Sequence, residues 1–161
     1  MVRRSESVPQ NDDTGPGVRV PPPVIATIVM AGAWLLDHLW TVQIGPPAVS
    51  LGGMVIFLAV ALVGWAVLAL VKVGNDPRPD RPDAALVEAG PFKWSRNPIY
   101  LGLLLAATGL ALIWGTLWGW VGVAVLHGVL DRMVIAREEA YLATRFDAAY
   151  AAYKARVRRW M

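Results

Sequence analysis

The sequence predicts an all-helical integral membrane protein with four transmembrane helices, both ends in the cytoplasm, and a C-terminal amphipathic helix on the membrane surface. Three observations carry that expectation. Apolar residues make up 56% of the 161-residue chain and charged residues only 17%, with mean hydropathy +0.46. A single soluble domain of this size cannot hide so much apolar surface. The apolar residues are also gathered into runs of bilayer-spanning length, and the Lys and Arg residues are confined to three segments between or beyond those runs.

The elements follow in order. Residues 1–22 are polar and carry Pro9, Pro16 and the first two prolines of Pro21-Pro22-Pro23. They lack the apolar core of a signal peptide and read as a disordered cytoplasmic tail. The membrane domain then occupies residues 23–161. A first span over 24–44 ends at Gly45-Pro46-Pro47, and a second over 51–71 ends at Lys72 and Gly74. Each has about the 20 residues a helix needs to cross the hydrocarbon. A polar loop, 72–96, comes next. From Asn97 to Leu130 there is no charged residue. One straight helix of that length would extend roughly 50 Å, beyond the bilayer thickness. The stretch must therefore fold back, giving spans at 97–114 and 117–136. Trp114-Gly115-Thr116-Leu117-Trp118-Gly119 supplies glycines for the bend and tryptophans for the interface.

Charge fixes the expected orientation. Lys and Arg occur in the N-terminal tail, in 72–96 and from Arg132 onward, and are absent from the loops near 41–50 and 114–119. The positive-inside rule then places the three basic segments in the cytoplasm, which requires an even number of spans. Beyond the fourth span, Tyr141, Leu142, Phe146, Tyr150, Tyr153, Val157 and Trp160 recur at steps of three or four. That stripe predicts an interfacial helix over 137–160 lying on the inner leaflet, either as an anchor alone or also as a lid held against the site.

Composition also excludes function classes. The net charge of +3 does not indicate a nucleic-acid partner, because the basic residues flank apolar spans rather than lining a groove. There is no cysteine, so disulfides and thiolate chemistry are excluded. Two histidines far apart in sequence give no expectation of a metal site.

The segment around the third span carries the residues suited to chemistry. Asn97-Pro98 reads as an N-cap and first-turn proline, presenting free N–H groups at the cytoplasmic interface. Tyr100 lies on the same face as Asn97, Arg96 adds an anion donor, and Gly102 leaves room for a neighbouring helix or a ligand. A second cluster, Asp131-Arg132 and Arg137-Glu138-Glu139, returns beside it after the hairpin. From residue types alone, a capped span with an interfacial tyrosine and a solvated helix end is the simpler account. Asp37-His38, inside the first span, is a functional candidate by default, with a mutual or interhelical hydrogen bond as the plainer reading. His127 reads as packing or an interhelical bond.

The pattern from Leu86-Val87 through Gly90-Pro91-Phe92 and Arg96-Asn97-Pro98-Ile99-Tyr100-Leu101-Gly102, then Arg137-Glu138-Glu139 and the ending Phe146, Tyr150, Tyr153-Lys154 and Arg156-Val157, resembles the isoprenylcysteine carboxyl methyltransferase family and the related phospholipid methyltransferases. The likeness covers roughly the last 90 residues. It implies a small membrane enzyme that uses S-adenosylmethionine. Carried over position by position, it implies cofactor contacts from Leu86, Val87, Phe92, Asn97, Pro98, Ile99, Tyr100 and Glu138. Asn97 stands where the eukaryotic carboxyl methyltransferases have histidine; an amide still hydrogen-bonds but does not titrate near neutrality.

Arg96 and Glu139 are the candidates for catalytic roles, Arg96 holding an anionic group and Glu139 acting as base if the acceptor is an amine or phenol. Phe92, Trp94 and Tyr100 offer aromatic faces to a sulfonium. The implied partners are membrane lipids and a lipid-like or amphipathic acceptor, with no protein partner. Two other readings stand beside this one: a nicotinamide-dependent membrane reductase with a related helical core, and a non-catalytic membrane scaffold.

Overall fold

The computed structural model describes residue 17, residues 20–78 and residues 84–161, so the tail expected over 1–22 lies almost wholly outside the described residues. Five α-helices follow in order: α1 (Pro22–Leu39), α2 (Val49–Lys72), α3 (Pro98–Trp114), α4 (Leu117–Val129) and α5 (Ala136–Arg156). A short 3-10 turn occupies Gly90–Lys93, and a π-helical turn, Leu130–Ile135, joins α4 to α5. The described residues contain no β-strand, only an isolated bridge between Gln43 and Thr116.

Three helical runs are long and apolar enough to cross a membrane: α1, α2, and the continuous run Leu117–Arg156. The helix α3 is equally apolar but has 17 residues. Only 17% of the most apolar window of α2 is buried inside the protein. Leu51, Met54, Phe57, Leu58, Val60 and Leu68 instead face outward. A helix apolar on every face with so little protein around it is solvated by lipid.

The first span is shorter than the sequence predicts. Its helix ends at Leu39, and the chain continues extended to pair with the hairpin bend. Leu117 N–H donates to the Val42 carbonyl at 2.8 Å, and Ile44 N–H to the Gly115 carbonyl at 3.0 Å. Gly115 closes α3 with φ 67°, and a Cβ there would meet the Gly45 carbonyl oxygen at 2.6 Å. Glycine is required on both counts. Trp118 Nε1–H donates to the Trp40 carbonyl at 2.6 Å, so the two loops without Lys or Arg form one docked end of the bundle.

The α2–α3 pair is the closest in the bundle. A Cβ on Gly109 would lie 2.7 Å from the Gly52 carbonyl oxygen, and one on Gly52 would lie 2.5 Å from that of Gly109. Gly102 is used in the same way, its missing Cβ replaced by Val63 of α2 rather than by a ligand. Such close backbone approach drives helix association in lipid, where burial from water contributes nothing. On its other side α3 places Tyr100, Leu104 and Ala107 against Met30 of α1 and Leu126, Leu130, Val134 and Ile135.

The sequence predicted a separate surface helix after the fourth span, but the helical path is unbroken through the π turn. The extra residue in that turn rotates everything downstream by about 100° relative to a plain α-helix. The course of α5 then breaks at Asp147, with φ 39° and ψ −114°. Part of the aromatic stripe faces protein: Tyr150, Tyr153 and Val157 are buried, packed against the half-buried Leu86, Leu142 and Phe146.

Candidate active site

The described residues between α2 and α3, with the start of α3, line one side of a cavity, and α5 covers the other. The cavity has a volume of about 120 Å³ and opens to solvent at its mouth. Leu86, Val87, Phe92, Arg96, Asn97, Pro98, Ile99, Tyr100, Glu138 and Glu139, all singled out in the sequence, line it together. So do Asn75, Leu142, Tyr150 and Tyr153.

Asn75 is the residue that sequence reasoning missed. It is buried, and its Oδ1 accepts from the backbone N–H groups of Ala84 and Ala85 at 2.9 and 3.0 Å, while its Nδ2 donates to the Ala85 carbonyl at 2.8 Å. One side chain thus closes the loop and delivers Leu86 and Val87 to the cavity wall. The only signal was an asparagine directly after the positive-φ Gly74 that ends α2. The next wall piece is the 3-10 turn, which buries Phe92 against Ala66, Ala69 and Val87. Trp94 departs from expectation: it is 64% exposed and packs edge-on against Trp65 with centroids 5.5 Å apart, outside the cavity lining.

Asn97 precedes α3 as expected, yet its side chain makes no cap. Its Nδ2 donates to the Arg159 carbonyl at 3.0 Å, and the same carbonyl accepts from Ser95 Oγ at 3.2 Å. Arg96 N–H donates to the Arg158 carbonyl at 3.0 Å. The C-terminal residues therefore run along the start of α3, and beyond them the Trp160 ring meets His127 with centroids 5.0 Å apart. Pro98 in the first turn needs no N–H partner there.

Two ionic arrangements meet inside the cavity. The Tyr100 hydroxyl donates to Glu138 Oε1. Beside it, Arg96 Nη2 lies 2.9 Å from Glu139 Oε1, with both side chains about nine-tenths buried. Arg159 grips the same carboxylate from the opposite side, Nε to Oε1 at 3.1 Å and Nη2 to Oε2 at 2.5 Å, and reaches Asp131 Oδ1 through Nη1 at 3.0 Å. The hydrogen bond to Glu139 is the main reason the Arg159 pKa is raised. Both oxygens of Glu139 are thus already held by guanidinium groups, an arrangement unlike that of a general base.

Arg96 Nε and Nη1 are buried and have no hydrogen-bond partner among the described residues, and neither does the Tyr150 hydroxyl. Burial first, and the neighbouring Glu139 second, push the Tyr150 pKa up to about 12. Tyr153 is shifted upward as well, again chiefly by burial, and its hydroxyl donates to the Phe92 carbonyl at 2.7 Å. Asp37 and His38 lie outside the cavity lining; the His38 ring stacks on Trp34 with centroids 5.4 Å apart, and Asp37 Oδ1 makes no hydrogen bond.

This geometry joins a glutamate, a buried arginine and aromatic faces in one cavity beside membrane-length helices, and the family comparison agrees with it. The model of the phospholipid methyltransferase family matches residues 47–149. The chain belongs to that family. The match runs from the start of α2 to the end of the first part of α5 and so takes in the cavity wall from Asn75 through Glu139. Among curated proteins, one from Haemophilus influenzae described as uncharacterised is 41% identical over 63 residues, which are 39% of this chain and the whole of that protein. Family membership and the apolar helices together identify a membrane methyltransferase-type protein.

Proposed function

We propose that this protein transfers a methyl group from S-adenosylmethionine to a lipid-like or small amphipathic acceptor at the cytoplasmic face of the membrane. The observation that carries the reading is the cavity itself, which collects all ten residues chosen for cofactor binding or catalysis from four separate stretches of chain. The residues suit the cofactor's chemistry. Its amino-acid end is zwitterionic, and the cavity offers a carboxylate, Glu138, together with a guanidinium, Arg96, whose Nε and Nη1 have no partner among the described residues. The adenosine and sulfonium portions match the apolar and aromatic lining of Leu86, Val87, Phe92, Ile99 and Tyr100.

The cofactor, when bound, supplies an electrophilic methyl group on a cationic sulfur. The protein's own task is then positioning and exclusion of water. Glu138, oriented by Tyr100, would hold the ammonium group; Phe92 and Tyr100 would shield the sulfonium; Asn97 and Pro98 would fix the wall at the start of α3. Glu139 is assigned a positioning role, because its oxygens are engaged by Arg96 and Arg159. That assignment favours an acceptor whose attacking atom is already anionic, such as a carboxylate or thiolate, over an alkyl amine, which is protonated at neutral pH and would need a base.

The same reading includes four spans, with α3 as the short one packed behind α2 and α4, and both termini in the cytoplasm. The distribution of Lys and Arg supports it: none lies in the two loops docked at the far end of the bundle. Labelled methyl transfer from S-adenosylmethionine into a membrane lipid extract tests the function. A labelled product dependent on the protein is expected, and no transfer by folded protein, together with no binding of S-adenosylhomocysteine, would overturn it.

A further inference from the structure

On side chains that line the cavity, three hydrogen-bond donors are buried with nothing among the described residues to accept from them: Arg96 Nε, Arg96 Nη1 and the Tyr150 hydroxyl. The Arg96 side chain is 8% exposed and Tyr150 is 2% exposed. Leaving a buried donor without an acceptor costs about 1–3 kcal/mol, and more for a charged group. Three in one cavity, one of them on a cation, mark a place built for an acceptor that arrives from outside.

The arrangement around Glu139 explains why Arg96 stays open. A carboxylate beside a guanidinium ordinarily forms a two-bond fork. Here Arg159 takes both Glu139 oxygens and anchors itself on Asp131, leaving Arg96 a single bond through Nη2. The four groups form a neutral set of two cations and two anions. Glu139 offsets the cost of burying Arg96 without consuming its Nε and Nη1 donors. The nearby phenol remains protonated at neutral pH, since its pKa is pushed up, and so acts as a donor.

We infer that Arg96 and Tyr150 form a receptor for an oxyanion, a carboxylate or a phosphodiester, and that Arg159 is the positioning residue that keeps Arg96 Nε and Nη1 open by holding both Glu139 oxygens, so that Glu139 engages Arg96 through Nη2 alone. The inference rests on the methyltransferase reading and deepens it, because the oxyanion has two sources there: the α-carboxylate of the cofactor and the phosphate of a lipid acceptor. Glu138, held by Tyr100, is the separate subsite for a cation.

The test uses the full chain in nanodiscs of neutral lipid and measures affinity by calorimetry for two probes, S-adenosylhomocysteine and soluble short-chain phosphatidylglycerol. The variants are Tyr150→Phe, Arg159→Gln and the double variant Arg159→Gln/Glu139→Gln. Tyr150→Phe removes one hydrogen bond to a charged group and is expected to weaken one probe about 10-fold or more. Loss confined to S-adenosylhomocysteine, with 5′-methylthioadenosine unaffected, assigns the receptor to the cofactor carboxylate. Loss confined to phosphatidylglycerol assigns it to the acceptor phosphate.

Arg159→Gln is expected to weaken the same probe, as Glu139 swings into a fork with Arg96. The double variant should recover most of that loss, because a neutral amide competes poorly for the guanidinium. A merely structural Arg159 would give a double variant no better than the single one, which would overturn its positioning role. Wild-type affinity for both probes in Tyr150→Phe would overturn the receptor. Failure of the wild type to bind S-adenosylhomocysteine would instead strike the methyltransferase reading itself.

Discussion

Tyr150 and Tyr153 lie one turn apart on α5 with ring centroids 6.3 Å from each other, yet replacing each by phenylalanine is expected to have opposite effects on stability. The Tyr153 hydroxyl is buried and donates to the Phe92 carbonyl at 2.7 Å. Tyr153→Phe removes that bond and strands a carbonyl in the wall of the cavity, at a cost of about 1–3 kcal/mol. The Tyr150 hydroxyl is equally buried but has no partner among the described residues, so Tyr150→Phe removes a desolvated polar group and should be neutral or stabilising by up to about 1 kcal/mol.

A pH dependence separates the two further. The pKa of Tyr150 is raised to about 12, chiefly by burial, above the ordinary tyrosine value of about 10. The folded state therefore holds this proton more tightly than the unfolded state. The corresponding stability is full below pH ~10 and is lost as pH rises toward 12. Tyr150→Phe removes that contribution, so the variant should lose less stability than the wild type over this interval. Unfolding midpoints in mixed micelles, followed by circular dichroism from pH 7 to 12, measure both effects. A destabilised Tyr150→Phe beside an unaffected Tyr153→Phe would refute the hydrogen-bond assignment for the pair.

Other consequences follow from the packing and topology. Gly109→Ala forces a Cβ to within 2.6 Å of the Ile56 side chain and 2.7 Å of the Gly52 carbonyl oxygen, and should cost about 1–3 kcal/mol in the same unfolding assay. Gly64→Ala, where nothing lies within 4 Å, should be neutral or slightly stabilising. Asn75→Ala deletes the three hydrogen bonds that close the loop over the cavity. Protease cleavage between α2 and α3 should quicken several-fold, with weaker ligand binding and helical content unchanged. On this cysteine-free background, Ser50→Cys should label with an impermeant reagent from the side opposite the termini; labelling from the same side would contradict the four-span arrangement.

Helix positions were legible in the sequence wherever the solvent dictated them. The charge-free stretch after Asn97 could only be a hairpin, and α3 and α4 do meet at Gly115-Thr116. The residues at the cavity were legible through their spacing: Asn97 opens α3, Glu138 follows α4, and an antiparallel return brings both to one cavity. What the sequence concealed depends on long-range contacts without local periodicity. The early end of α1 at Leu39 reflects pairing between two loops far apart in the chain. The stripe on α5 has the pattern of a lipid-binding face and of a lid alike, and tertiary packing decides which of its residues cover Leu86 and the cavity: Tyr150 and Tyr153. Likewise Asn97 has the type and position of a capping residue, but the Arg159 carbonyl competes successfully for its amide. Glu139 looked as available as Glu138 until the C-terminal Arg159 was brought back onto it.

The measurement that bears most directly on the methyltransferase account is the affinity of S-adenosylhomocysteine for wild-type protein and for Glu138→Gln, each folded in nanodiscs. Glu138 lines the cavity, accepts from Tyr100, and is the carboxylate assigned to the cofactor's ammonium group. Its charge-assisted bond corresponds to roughly 1.5–3 kcal/mol, so the substitution should weaken binding by about 10- to 150-fold while helical content stays the same. Equal affinity in the two proteins would contradict the assignment of Glu138, and absence of binding by folded wild type at millimolar ligand would contradict the methyltransferase account as a whole.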